Sequence, residues 1–261
     1  MFRRCSINIK TTITMQVKNE MIFGVRAVLE AIDAGKEIDK ILIKRDILSE
    51  LSRELFAAVK GTNIPVQRVP VEKLNRITRK NHQGVIAFVS AVEYASVETF
   101  VPYLFEEGKD PLLVLLDGIT DVRNFGSIAR TCECAGVDAI IIPSHGSVTV
   151  NADAVKTSAG ALHTLPVCRE KNITETIKYL KASGFRIVCA TERGKINYTQ
   201  SDFNVPVCIV MGAEDTGIPS EHLALCDDWV SIPQYGKIES LNVSVATAVI
   251  LYEAVRQRHL S

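Results

Sequence analysis

Two runs restrict this chain more than any other feature: Leu112-Leu-Val-Leu-Leu116 and Val207-Cys-Ile-Val-Met211. Neither alternates polar with apolar residues. A strand that is apolar on both sides needs cover on both sides, which is the condition of a parallel sheet between helices. Helical stretches are expected at Ser127–Cys134, around Val155–Leu162, at Ile173–Ala182 and at Ser220–Leu225. Shorter strands are expected at Ala139–Ile142, Arg186–Ala190 and Val230–Ile232, with a last helix running from about Ser240 to Val255. The alternation predicts an α/β unit with a parallel sheet, and ligands then gather in the loops at the carboxyl ends of its strands.

A smaller α/β unit precedes it, over residues 20–92. Its expected elements are a helix at Arg26–Ala34 stopped by Gly35, a strand at Ile38–Lys44 and a helix at Ser49–Lys60. A strand at Pro65–Val69, a helical turn at Val71–Ile77 and a buried strand at Gly84–Val92 follow. Residues 93–110 hold acids, Pro102 and Gly108 and read as a linker with a short helical piece. Residues 111–261 form the larger unit. Residues 1–19 lack the apolar core of a secretory signal and are expected to be a flexible arm, or to lie ahead of a start at Met15 or Met21.

Composition narrows the function classes. No apolar stretch approaches 18 residues, so no membrane span is expected. Seven cysteines, an odd number with no CxxC pair, suit free thiols in a reducing compartment, and a cytoplasmic protein is expected. Five scattered histidines offer no metal-ligand spacing. Thirty basic and 30 acidic residues cancel, so the distribution of charge matters more than its sum. Residues 60–82 carry six basic residues against Glu72 alone. Their polar loop, with Arg76, Arg79, Lys80 and His82, is a candidate phosphate-contacting surface.

Three constellations share one arrangement of strand, loop and helix start. The first is Asp117-Gly-Ile-Thr-Asp-Val-Arg-Asn-Phe-Gly-Ser-Ile-Ala-Arg-Thr131, where Asn124 and Gly126 are expected to shape a turn and Arg130 to lie one turn into the helix, aimed at a phosphate. The second is Val207–Pro219, where a strand ends in Met211-Gly212 and Glu214 follows; Gly212 permits close backbone approach, and Glu214 is placed to pair with Arg130 or to position a substrate. The third is Val230–Ala248, where Ser240, Asn242 and Ser244 put small polar groups at a helix start. Neither GxGxxG with a ribose-binding acid nor Gly-Lys-Ser/Thr occurs, which excludes the usual dinucleotide and P-loop sites.

Together these motifs resemble the SpoU (TrmH) family of RNA ribose 2′-O-methyltransferases. The resemblance rests on Asn124, Gly126 and Arg130, on Met211-Gly-Ala-Glu214 with Gly217, and on Ile232-Pro233 with Ser240-Leu-Asn-Val-Ser244. It implies a SPOUT-type domain with a C-terminal trefoil knot. Residues 20–92 are similar to a ribosomal-protein-like RNA-binding domain of one branch, whose members include an enzyme acting on a guanosine in the peptidyl-transferase region of large-subunit rRNA. By the same resemblance the methyl donor is S-adenosylmethionine, held by Gly212, Ile232 and Leu241 with Thr191, Met211 and Pro233 nearby. Asn124, Arg130, Glu214, Ser240 and Asn242 would carry the chemistry. RNA is the implied partner and no metal is needed. The apolar final helix, with Val245, Val249, Tyr252 and Val255, suggests a homodimer. A transfer-RNA target, or a catalytically silent ribosome assembly factor, are the alternative readings. Two departures from the pattern, Phe125 and the pair Cys132 and Cys134, are expected to tune packing.

Overall fold

The structure, a computed structural model, describes residues 21–47, 50–106, 108–238 and 240–260; the arm expected over residues 1–19 lies outside them. The first unit contains β1 (Met21–Phe23), α1 (Val25–Asp33), β2 (Ile38–Lys44), α2 (Glu50–Val59), β3 (Val66–Val69), α3 (Val71–Ile77) and β4 (Val85–Val89). Its sheet runs β1-β4-β2-β3, antiparallel at β1/β4 and β4/β2 and parallel at β2/β3. The period of two along β2 sends Ile41 and Ile43 toward α1 and α2, and Leu42 toward α3. β1 is hidden in the sequence because the strand is only three residues long before Gly24, whose φ of 86° turns the chain into α1.

Next come β5 (Tyr94–Ala95) and α4 (Val97–Glu106), in the segment expected to be a linker. They are structural parts of the second unit. β5 pairs in parallel with a later strand and forms one edge of the large sheet, and α4 buries Val97, Val101 and Leu104 against that sheet. The remaining elements are β6 (Leu112–Asp117), α5 (Val122–Ala135), β7 (Ala139–Pro143), α6 (Ala152–Thr157), β8 (Val167–Glu170), α7 (Ile173–Ala182) and β9 (Arg186–Ala190). They are followed by β10 (Ile196–Asn197), β11 (Val207–Gly212), α8 (Ser220–Leu223), β12 (Asp228–Ser231) and α9 (Val243–Leu260).

The sheet order is β10-β12-β9-β11-β6-β7-β8-β5, and every pairing is parallel. The apolar runs explain themselves here. Leu112, Val114 and Leu116 face α5, α6 and α9, whereas Leu113 and Leu115 face α4, α7 and α8. Phe125 fills the first of these layers and is fully buried; burial of a side chain this size contributes about 1.5–3 kcal/mol. Cys132 packs beside it, but Cys134 is exposed, so only one of the two cysteines bears on packing.

Several expected boundaries move. α5 begins at Val122, not Ser127, because Asp121 caps it: its carboxylate accepts the backbone N–H groups of Arg123 and Asn124. Gly126 therefore lies inside a helix and shapes no turn. A Cβ there would stand 2.6 Å from Thr157 Cβ, so the glycine permits α5 and α6 to touch. The helix expected around Val155–Leu162 is α6 plus a short 3₁₀ turn at Ala161–His163. α9 begins at Val243, leaving Ser240–Asn242 in the preceding loop.

Candidate active site

Register builds the site. β11 lies between β6 and β9, with Gly212 opposite Asp117 and Met211 opposite both Leu116 and Ala190. Ala190 in turn faces Val230 of β12. Four strands thus end at one level, and the chain following β9, β11 and β12 encloses a cavity of about 780 Å³. Thr191, Met211, Gly212, Ile232, Pro233 and Leu241 line it, together with Glu214, Ser240 and Asn242.

Its mouth is held by one side chain. Asn242 Nδ2 donates to Asn124 Oδ1 at 3.1 Å and to Glu214 Oε1 at 2.6 Å. Its Oδ1 accepts from Ser244 N at 3.0 Å and from Ser244 Oγ at 2.6 Å. A backbone N–H can only donate, so this contact fixes which end of the amide is oxygen. Asn242 is thereby the N-cap of α9 and also the bridge between α5 and the loop after β11. Glu214 pairs with Asn242, not with Arg130 as one sequence reading had it.

Arg130 is placed differently from the expectation. It lies eight residues into α5, about 12 Å from the helix start, and about 120° around the helix from Asn124. Its side chain is exposed, does not line the cavity, and has no hydrogen bond or ion pair among the described residues. It is not one turn from the helix N-terminus, because capping at Asp121 lengthens the helix backward.

The glycines act mainly on the protein's own backbone. A Cβ at Gly212 would stand 2.4 Å from Gly217 C and 2.5 Å from Ile218 N, where the loop folds back through the Ala213–Gly217 bridge. Gly194, missed in the sequence, does the same on the far wall: a Cβ there would meet Ser231 N at 2.4 Å. Also missed was the buried pair Asp117–His222, with Oδ2 and Nδ1 2.6 Å apart, which ties the end of β6 to α8 behind the cavity. The position of Asp117 at the end of an apolar run was the available signal. Burial pushes the Cys168 and Cys208 thiols up to about 12, so neither is a ready nucleophile.

On the first unit, Arg76, Arg79 and Lys80 are exposed around the loop between α3 and β4. His82 is not. It is buried, with Nε2 2.9 Å from Asn75 Oδ1 and Nδ1 accepting from Gly84 N at 3.0 Å. Accepting at Nδ1 makes it the Nε2–H tautomer, which donates to Asn75. Both ring nitrogens are used within the loop, so His82 shapes the basic surface and does not itself face a ligand.

Residues 111–252 match the model of the SpoU rRNA Methylase family, and residues 21–95 match that of the RNA 2′-O ribose methyltransferase substrate-binding domain. The chain belongs to the SpoU family. A Staphylococcus saprophyticus protein assigned to the TrmH family of tRNA/rRNA methyltransferases is 37% identical over 92% of this chain and 96% of its own length. Among solved structures, the SpoU methyltransferase AviRb from Streptomyces viridochromogenes, in complex with AdoMet, is 28% identical with a TM-score of 0.58, covering 92% of this chain and 91% of its own. An AdoMet-bound rRNA methyltransferase from Sinorhizobium meliloti is 28% identical with a TM-score of 0.59, covering 92% and 88%. This chain is therefore an S-adenosylmethionine-dependent RNA 2′-O-methyltransferase with an N-terminal substrate-binding domain. The cavity suits that cofactor: it falls within the range of small-molecule sites, and its wall mixes apolar side chains (Met211, Ile232, Leu241) with exposed loop backbone.

Proposed function

We propose that this protein methylates a ribose 2′-hydroxyl of a guanosine in the peptidyl-transferase region of large-subunit ribosomal RNA, and does so as a homodimer. The observation that carries the chemical part is the Asn124–Asn242–Glu214 network at the mouth of the cavity. The rRNA reading draws support from the family description and from the rRNA methyltransferase among the similar structures.

Thr191, Met211, Gly212, Ile232, Pro233 and Leu241 hold the cofactor, which supplies a methyl group on a sulfonium, an electrophile that needs no metal. The protein's own task is to seat a weakly acidic hydroxyl in line and to dispose of charge. Asn242, fixed through both ends of its amide, keeps Glu214 and Asn124 at the rim, and Ser240 stands in the same loop. Arg130 anchors the phosphate next to the target ribose; a guanidinium stays protonated, so its part is charge stabilisation rather than proton removal. Val245 and Tyr252 on α9 are about half exposed, at 48% and 53%. A second copy seated on them would lie beside α5, which packs against α9.

The test is to map 2′-O-methyl marks in ribosomal and transfer RNA from a deletion strain. One large-subunit rRNA guanosine should lose its mark, the intact gene should restore it, and an Arg130→Ala gene should not. Loss of a transfer-RNA mark instead would redirect the substrate assignment. A complete set of marks in the deletion strain, together with no S-adenosylmethionine binding by calorimetry, would favour a silent assembly factor.

A further inference from the structure

The two units meet at a buried polar cluster that the methyl-transfer site does not use. Asp39 comes from β2 of the first unit, and Tyr94 and Arg169 from the edge strand β5 and its neighbour β8 in the second. The side chains of Arg169 and Asp39 are only 6% and 3% exposed. The Tyr94 hydroxyl donates to Asp39 Oδ1, and the Arg169 guanidinium stacks 3.9 Å from the centre of the Tyr94 ring. Arg169 Nη1 reaches across to Ile38 O at 3.1 Å and Asp39 O at 3.4 Å, and lies 3.9 Å from Asp39 Oδ1. Around this centre, Asn63 Nδ2 donates to Arg169 O, Lys171 Nζ to Gly61 O and Lys40 Nζ to Thr149 Oγ1.

Such a cluster is a poor source of stability. Desolvating two charges consumes most of what their attraction returns, and an apolar junction of the same volume would hold as well or better. Here the fit is also incomplete, since Asp39 Oδ2 and Arg169 Nε are buried with no hydrogen-bond partner among the described residues. What directional, charged contacts do give is a single relative orientation. The covalent connection between β4 and β5 is only residues 90–93, which by itself would let the units swivel. RNA held by the loop of Arg76, Arg79 and Lys80 reaches the cavity mouth correctly only if that swivel is stopped.

We propose that Arg169 is a positioning residue for methyl transfer: clasping the β2 backbone and Tyr94, it sets the angle at which the RNA-binding unit presents its substrate to the cavity. The inference rests on RNA being gripped by the first unit and modified by the second. A loosened clasp leaves each unit folded and each ligand bound but lowers the fraction of complexes in a reactive geometry, and so acts on kcat.

The experiment uses the full chain, with Arg169→Gln and Arg169→Lys beside the wild type. Small-angle scattering of the Gln variant should show a larger maximum dimension and a more flexible profile. Its kcat on a long RNA substrate should fall at least tenfold, with KM for RNA and the calorimetric Kd for S-adenosylmethionine both within threefold. Lys, keeping the charge and part of the reach, should recover a portion of kcat. If Arg169→Gln fails to fold, Tyr94→Phe removes one hydroxyl from the same cluster and should move scattering and kcat in the same direction by less. A folded variant with wild-type scattering and kcat within twofold would overturn the proposal. So would a loss confined to RNA affinity, since Arg169 would then be an RNA contact. The scattering needs no methyl transfer, so failure of the clasp is distinguishable from a wrong RNA target.

Discussion

The molecule contains two polar clusters of similar size built on opposite principles. At the cavity mouth, Asn124, Glu214 and Asn242 stand near solvent, and both ends of the Asn242 amide find partners. At the junction of the units, Asp39, Tyr94 and Arg169 are withdrawn from water, the aspartate and arginine carry opposite charges, and two atoms have no partner among the described residues. The first can change its contacts when a substrate arrives, because water replaces whatever is lost. The second cannot, because each lost contact strands a buried group. Solvent-facing networks suit chemistry, and sealed ones suit alignment.

The sharpest way to break this contrast is Asn242→Asp. An aspartate still caps α9 through Ser244 N, so the melting temperature should move by no more than about 2 °C. It cannot donate to Asn124 or Glu214, and it places a second carboxylate where Glu214 Oε1 now lies 2.6 Å away. Methyl transfer should fall by about 10²–10³-fold, the scale expected for losing a positioned polar group. A transfer assay read beside a thermal melt checks it; unchanged turnover would mean that the network is only a helix cap.

At the junction the expected effect is smaller and opposite in kind. Burial pushes the Asp39 carboxyl up to about 6, against the pull of the Tyr94 hydroxyl, Arg169, the Val150 backbone N–H and Lys40. A carboxyl raised in the fold binds its proton more tightly there than in the unfolded chain. Its contribution to stability is complete below the unfolded value of 3.8 and is lost as pH rises through about 6. Asp39→Asn should therefore be more stable than wild type at pH 7–8, by at most on the order of 2–3 kcal/mol, with the difference closing between pH 6 and 4. Urea unfolding across that range measures it, and a variant less stable at every pH would show that the charge pair is a net stabiliser.

The smallest effect belongs to the rim. Lys40 donates to Thr149 Oγ1 at 3.2 Å in a partly exposed setting. Lys40→Ala should cost about 0.5 kcal/mol and leave the scattering profile unchanged. If it loosened the units as much as Arg169→Gln, burial would not be what distinguishes the clasp.

Much of the larger unit was legible because its strands are apolar on both faces: β6 and β11 announce a parallel sheet without any partner being known. β8 escaped because Arg169 and Glu170 interrupt its apolar pattern; Arg169 turns toward the junction, and Glu170 accepts from the Val97 N–H at the start of α4. β5 escaped because two residues carry no periodicity, and its segment read as a linker through its acids, Pro102 and Gly108. The site motifs were legible as loops between strand and helix, but not their contacts. A glycine that admits a ligand and one that admits another helix look the same in sequence, so Gly126 was assigned to a turn. A histidine in a basic loop likewise reads as a phosphate contact until its neighbours, Asn75 and Gly84, are found to occupy both ring nitrogens.

Where Gly212 meets Gly217 and Ile218, main chain lies on main chain with no room for a Cβ. A seam of that kind has no side-chain volume to exchange, so inherited variation has little to act on there. If the first unit grips RNA as proposed, target preference is free to diverge at the surface around Arg76 and Lys80, on a separate unit, while the donor cavity stays as it is. One methyl-transfer engine can in this way be passed among descendants that read different RNAs.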